Sequence, residues 1–263
     1  MPATAADYRS RVHSPTWDVI DREQILTVTG HHPYVRLTTT GGGPVRGFVR
    51  RTSDGLAVVW LNDSRGRRGL DAWGDPAAVV RLIRALWAAG EVAGIRRLHL
   101  PRTSKELLTA HLPVGEPDHW DYRWTRSPLP PPPDPPSPVP LPPEREEEVR
   151  ALLDRAFPDA YTRPGHPDIR RWYGLWHGDR LIACGADVSR GVGCLAGLAV
   201  DPDFRGRGLG AALTSGMAAR LRAEFDVVSL GVMVDNHRAA RLYHRLGFTE
   251  VAGRTSVPLH SDQ

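Results

Sequence analysis

Apolar residues recur along this chain at two spacings, one suited to strands and one to helices, and their alternation predicts a series of elements. Gly55 to Leu61 (GLAVVWL) is a short apolar run and reads as a strand. Gly74-Asp75-Pro76 then sets a capping Asp before a Pro at the first helical position, so a helix is expected from Ala77 to about Ala89. Its apolar stripe is Val79, Leu82, Ile83 and Leu86. Ile95 to Leu100 (IRRLHL) and His119 to Thr125 (HWDYRWT) read as two further strands. The upstream half is therefore α/β.

Downstream the order is clearer. Glu144 to Phe157 predicts a helix with Val149, Leu152 and Leu153 on one side, broken by the loop around Tyr161 to Pro167. Arg171 to His177 and Arg180 to Ser189 read as a hairpin turning at Gly178-Asp179. Cys194 to Val200 is apolar throughout, as suits a strand covered on both faces, and ends at Asp201-Pro202. A helix with Leu209, Leu213, Met217 and Leu221 along one side follows, then a buried strand over Val227 to Val234. Asp235-Asn236 caps a last helix, His237 to Leu246, which stops at Gly247.

Between the halves lies SPLPPPPDPPSPVPLPP, Ser127 to Pro143. Proline removes ladder donors and favours extended polyproline II, so the run reads as a stiff connector, with a docking segment for a proline-recognising module as the alternative. The expected organisation is an α/β domain over 1–127, a linker over 128–143 and a second domain over 144–263.

Composition narrows the chemistry. In 263 residues, 41% are hydrophobic and 24% charged, which suits a globular protein with a proper core. No apolar run is long enough to span a membrane, and the first 18 residues lack the apolar core of a secretory signal, so a cytoplasmic protein is expected. The net charge of +4 is dispersed among acids, as in EREEEVR, which argues against nucleic acid as the main partner. Lys105 is the only lysine, which disfavours Schiff-base chemistry. Cys184 and Cys194 have no paired spacing and read as reduced core residues, so no metal site is expected.

The chemically informative segment is Arg205-Gly206-Arg207-Gly208-Leu209-Gly210, between a strand and a helix. Glycines there let the backbone approach a ligand, and the unpaired N–H groups of the helix start, with the helix dipole, Arg205 and Arg207, suit a pyrophosphate. A P-loop is excluded because its lysine is missing. Gly191-Val192-Gly193-Cys194-Leu195-Ala196 matches the letters of a dinucleotide fingerprint but leads into a strand, so its required context fails. Arg65-Gly66-Arg67-Arg68-Gly69 resembles the phosphate turn superficially, and a hairpin loop is its better reading.

LAVDPDFRGRGLGAAL, followed about 25 residues later by DNHRAARLYHRLGF, is similar to motifs A and B of the GCN5-related (GNAT) N-acetyltransferases. The likeness continues from Arg171 onward. The resemblance implies a mixed, mostly antiparallel central sheet flanked by helices, and the order of the upstream elements looks like a degenerate copy, giving two GNAT-like halves in tandem. It implies acetyl-CoA as cosubstrate. Leu198, Ala199 and Val200 would pair with the pantetheine arm, Gly206 through Ala211 (Gly206, Arg207, Gly208, Leu209, Gly210, Ala211) would cradle the pyrophosphate, Asn236 would contact the pantetheine or acetyl end, and Tyr243 would face the sulfur as the acid. Relatives that acetylate ribosomal proteins carry an acid where this chain has Gly231, so a small-molecule amine is the expected acceptor rather than a protein N-terminus. The general base stays open, with Asp187, His166 and His177 as candidates. A coenzyme-binding sensor without turnover is the alternative function.

Overall fold

A computed structural model describes residues 17–41, 44–53, 55–64, 67–129 and 137–260. The upstream half opens with β1 (Asp18–Ile20), α1 (Arg22–Val28) and α2 (Pro33–Thr39), then β2 (Gly47–Thr52), β3 (Gly55–Ser64) and β4 (Arg67–Gly74). The helix expected after Asp75-Pro76 is α3 (Pro76–Ala88), and the Asp75 side chain accepts from the Ala78 N–H as its cap. Val79, Leu82, Ile83 and Leu86 are fully buried, each burial stabilising the half by roughly 1.5–3 kcal/mol. β5 (Arg97–Pro101), α4 (Lys105–Thr109) and β6 (Asp118–Thr125) complete it. β3 and β4 form a hairpin; Arg65 and Gly66 themselves lie outside the described residues.

The downstream half repeats this order. It runs β7 (Val139–Leu141), α5 (Glu146–Ala156), β8 (Arg171–His177), β9 (Arg180–Asp187), β10 (Gly193–Val200), α6 (Leu209–Arg222), β11 (Val228–Met233), α7 (His237–Arg245) and β12 (Glu250–Pro258). In each half three antiparallel strands are followed by a helix and by a strand parallel to the third, β5 beside β4 and β11 beside β10. The sheet is mixed, mostly antiparallel and flanked by helices.

The halves exchange their last strands. The sheet order is β1-β2-β3-β4-β5-β12-β6-β11-β10-β9-β8-β7, so β12 of the downstream half pairs with β5, and β6 of the upstream half pairs with β11. β6 and β12 also pair with each other over seven residues, from Glu250 opposite Trp124 to Ser256 opposite Asp118. Each half's sheet is thus completed by the other half.

Part of the proline run belongs to this framework. Val139–Leu141 is an edge strand on β8, where proline is tolerated, and the Pro138 ring packs against α6 where Gly216 leaves room for it. Residues 130–136 of the run, and the first 16 residues of the chain, lie outside the described residues. Among the described residues no helix is long and apolar enough to cross a membrane.

Candidate functional site

β10 and β11 are paired only from Gly193 opposite Val228 to Leu195 opposite Leu230. Beyond that point β10 stays with β9 and β11 stays with β6. A bulge drives them apart: the β10–β9 register shifts between Ala196 and Ala199, and Gly197 takes the left-handed backbone at φ +56°. The edge of β10 facing β11 past Leu195 therefore has no strand partner among the described residues, and its backbone groups other than the Val200 carbonyl, which accepts from Arg205, are open to an extended ligand. Leu198, Ala199 and Val200 lie on this stretch, with Ala199 and Val200 paired to Cys184 and Ala183 on the other side.

The turn after β10 is held firmly. Asp201, 1% exposed, accepts from Arg155 at 3.1 Å and Arg180 at 2.8 Å and caps the short 3₁₀ turn Pro202–Phe204. Burial alone would raise its pKa, but hydrogen bonds from Arg180, the Asp203 N–H and Arg155 outweigh burial and hold the carboxyl below its ordinary range. Gly206 and Gly208 follow with φ of +82° and +78°, and a Cβ added at either would meet nothing within 4 Å. Gly208 precedes α6 and no side chain caps that helix, so the first-turn N–H groups of Leu209, Gly210 and Ala211 have no capping side chain, and the space at the two glycines before them is open. Open space, free donors and the positive end of the helix dipole suit a pyrophosphate.

The two arginines of the turn brace it. Arg205 donates to the Val200 carbonyl at 3.3 Å and to the Ala156 carbonyl at 3.0 Å, tying the turn to β10 and α5. Arg207 lies over the Phe204 ring at 4.9 Å and donates to the Asp203 carbonyl at 3.3 Å.

α7 closes the other side. The Leu242 side chain comes to 3.4 Å from where a Cβ on Gly210 would sit, so α7 abuts the first turn of α6. The Asn236 side-chain oxygen Oδ1 accepts from the Ala239 N–H at 3.1 Å as the helix cap, which leaves its side-chain amide nitrogen as an exposed donor. Tyr243, 8% exposed, packs edge-on to Phe248, and its hydroxyl has no hydrogen-bond partner among the described residues. Burial pushes its pKa up to about 12. The hydroxyl itself is not sealed in the core, and it is free for a ligand atom.

Each candidate base has partners of its own. Asp187, 4% exposed, accepts from the backbone N–H and the hydroxyl of Ser189 and pairs with Arg170 at 3.3 Å. His166 accepts from the Asp168 N–H beside Tyr161, and His177 packs on Phe204 at the far end of β8. Burial raises the thiols of Cys184 and Cys194 to about 12 and about 11, which keeps them protonated and poorly nucleophilic. A cavity of about 800 Å³ between the halves includes Asn62, Glu91, Asp168 and Arg190 in its wall, and no residue of the glycine turn or α7 lines it.

The upstream half has a corresponding gap with different contents. β4 and β5 pair from Gly69 opposite Arg97 to Asp71 opposite His99. There the fully buried Arg254, from β12, donates to the carbonyls of Ala72 at 3.0 Å and His99 at 2.9 Å, bridging both strands. Its guanidinium lies 3.8 Å from the Tyr34 ring centre, and the Tyr34 hydroxyl donates to Asp71. Neither Arg254 nor the bulge at Gly197 was evident as a site feature: nothing in the residues beside Arg254 states its distant partners, and a lone glycine in an apolar run does not announce which neighbour it releases.

Residues 134–248 match the acetyltransferase (GNAT) family. Over 105 residues the chain is 41% identical to a protein named mycothiol acetyltransferase from Geodermatophilus obscurus, covering 36% of this chain. The match spans about a third, 34%, of that relative's length. Two solved structures share the fold. A putative GNAT-family acetyltransferase from Novosphingobium aromaticivorans gives a TM-score of 0.55 at 24% identity, covering 76% of this chain and 91% of its own. A GCN5-related N-acetyltransferase from Kribbella flavida gives 0.52 at 19%, covering 81% and 90%. Both coverages exceed the matched segment and take in part of the upstream half. GNAT acetyltransferases use acetyl-CoA, and the family supports acyl transfer in general terms.

Proposed function

We propose that the chain is an N-acetyltransferase with one working coenzyme site, in the downstream half over 144–263, and that residues 1–127, joined through 128–143, complete the fold without binding coenzyme. The observation that carries this is the unpartnered edge of β10 leading straight into the uncapped, glycine-lined start of α6. In this reading Leu198, Ala199 and Val200 bind the pantetheine arm, and the backbone from Gly206 to Ala211 binds the pyrophosphate, with Arg205 and Arg207 holding the turn. The free amide of Asn236 steadies the acetyl end. The acceptor is an amine on a small molecule; the absence of an acid at Gly231 and the relative named for mycothiol favour that over a protein N-terminus.

Transfer is direct. A neutral amine attacks the thioester carbonyl, its proton leaves to water, and Tyr243 delivers a proton to the departing thiolate. A tyrosine near 12 is a weaker acid than the free side chain, yet burial raises a thiolate's proton affinity as well, as the two buried cysteines of this chain illustrate. The competing reading, a coenzyme-binding module without turnover, draws on one observation: Asp187, His166 and His177 are each engaged by neighbours of their own.

Acetyl-CoA is expected to raise the melting temperature, and Gly208→Val to abolish that rise by placing a side chain in the pyrophosphate's space. Release of CoA thiol in the presence of amines then separates an enzyme from a sensor. An undiminished shift in the Val variant would refute the placement.

A further inference from the structure

Gly231 is the first residue of β11 beyond the point where β10 and β11 part. Its missing side chain leaves room on the sheet face covered by α2. That room is bordered by a ring from the other half: Trp120 of β6 lies 3.4 Å from where a Cβ on Gly231 would be. The Trp120 ring is fixed, because its indole N–H donates to the Ser256 hydroxyl at 2.9 Å, yet the residue is only half-buried. Directly opposite it on β11 is Met233, 42% exposed. The opening of the gap on this face is therefore an indole surface and a thioether, both uncharged.

The charges nearby work against a polycation. Arg254 is the register partner of Trp120 on β12 and is a fully buried cation on the same face. Asp118, the acid two residues along β6, is held by Arg97 at 2.7 Å. A polyamine would bring several positive charges to a wall of indole and thioether whose neighbouring acid on β6, Asp118, is already paired, whereas a single ammonium beside an apolar or flat body finds an aromatic face.

We propose that Trp120, supplied by the upstream half, forms the acceptor wall of the downstream transfer site and selects a monoamine that carries an apolar or aromatic face. This rests on the coenzyme site proposed above. It also gives the upstream half a direct part in specificity, beyond completing the sheet.

The test compares phenethylamine with spermidine as acceptors, following CoA thiol release by the full chain and by Trp120→Ala and Trp120→Leu, with the acetyl-CoA melting shift measured for each. Phenethylamine should show the higher kcat/KM in the unaltered protein. Trp120→Ala should lower that value on the order of 10-fold, mostly through KM, with the melting shift intact. Trp120→Leu keeps apolar volume without the flat face; it should lose several-fold and carries the test if the Ala variant does not fold. Spermidine preference, variants within twofold of the unaltered chain, or a preserved melting shift with neither amine acetylated would each overturn the role of Trp120 while leaving the coenzyme site standing. Loss of the shift in the unaltered chain would instead overturn the coenzyme reading itself.

Discussion

The gap between β4 and β5 and the gap between β10 and β11 arise at corresponding places in two halves of the same topology, and they have opposite contents. In the upstream gap Arg254 bridges both strands through the carbonyls of Ala72 and His99. In the downstream gap no side chain spans the strands among the described residues, and the strand leads to a helix whose N–H groups are free. The helix starts differ in the same sense. α3 begins at Asp75-Pro76, where the carboxylate caps the helix and repels an anion, while α6 begins at an uncapped glycine. A shared frame therefore does not make a shared site: one buried arginine and one capping aspartate distinguish a filled gap from an open one.

Arg254→Met breaks this comparison most severely. It leaves two buried carbonyls unpaired and removes the cation from beside Tyr34 and Asp71, so stability should fall by about 3–5 kcal/mol, read by denaturant unfolding. Even so, the variant should bind no second coenzyme, because α3 still offers a capped start. Next in size is Tyr243→Phe, which keeps the packing on Phe248 and deletes the hydroxyl. A fall in kcat on the order of 10²-fold with little change in coenzyme affinity is expected, provided the chemical step limits turnover. Equal turnover would make water the proton source.

A smaller effect sharpens the upstream side. Burial, then Arg254 and Arg126, lower the pKa of His32 from 6.5 to about 4, and its ring accepts the Tyr34 N–H at 3.2 Å, which requires an unprotonated nitrogen. Between those values the unfolded chain binds a proton that the folded chain does not. Stability from this residue is thus complete above about pH 6.5 and is lost as pH falls toward 4. At pH 5 the loss should be on the order of 1–2 kcal/mol, and His32→Asn, which can still accept from Tyr34, should flatten that part of the pH–stability curve. An unchanged slope would show that the ring is not the group responsible.

The sequence carried the local features of this molecule well. Asp75-Pro76, the tight turn at Gly178-Asp179, and the glycine turn before α6 each act within a few residues, and each element predicted from them is present. What it did not carry is non-local. The exchange of β6 and β12 depends on pairings more than a hundred residues apart, and neither HWDYRWT nor EVAGRTSVP states its neighbour. Short elements such as β1, β7, α1, α2 and α4 lack enough periods for a pattern to emerge. Alternating aromatics at Trp120, Tyr122 and Trp124 do mark one face of β6, and that was the available signal for the residue now placed beside the gap.

The central claim is that two like frames hold one coenzyme site, and calorimetric titration of the full chain with acetyl-CoA tests it most directly. The account predicts one molecule bound per chain and none in Gly208→Val, with the variant still folded. Two molecules bound per chain, or one bound with undiminished affinity in Gly208→Val, would contradict it.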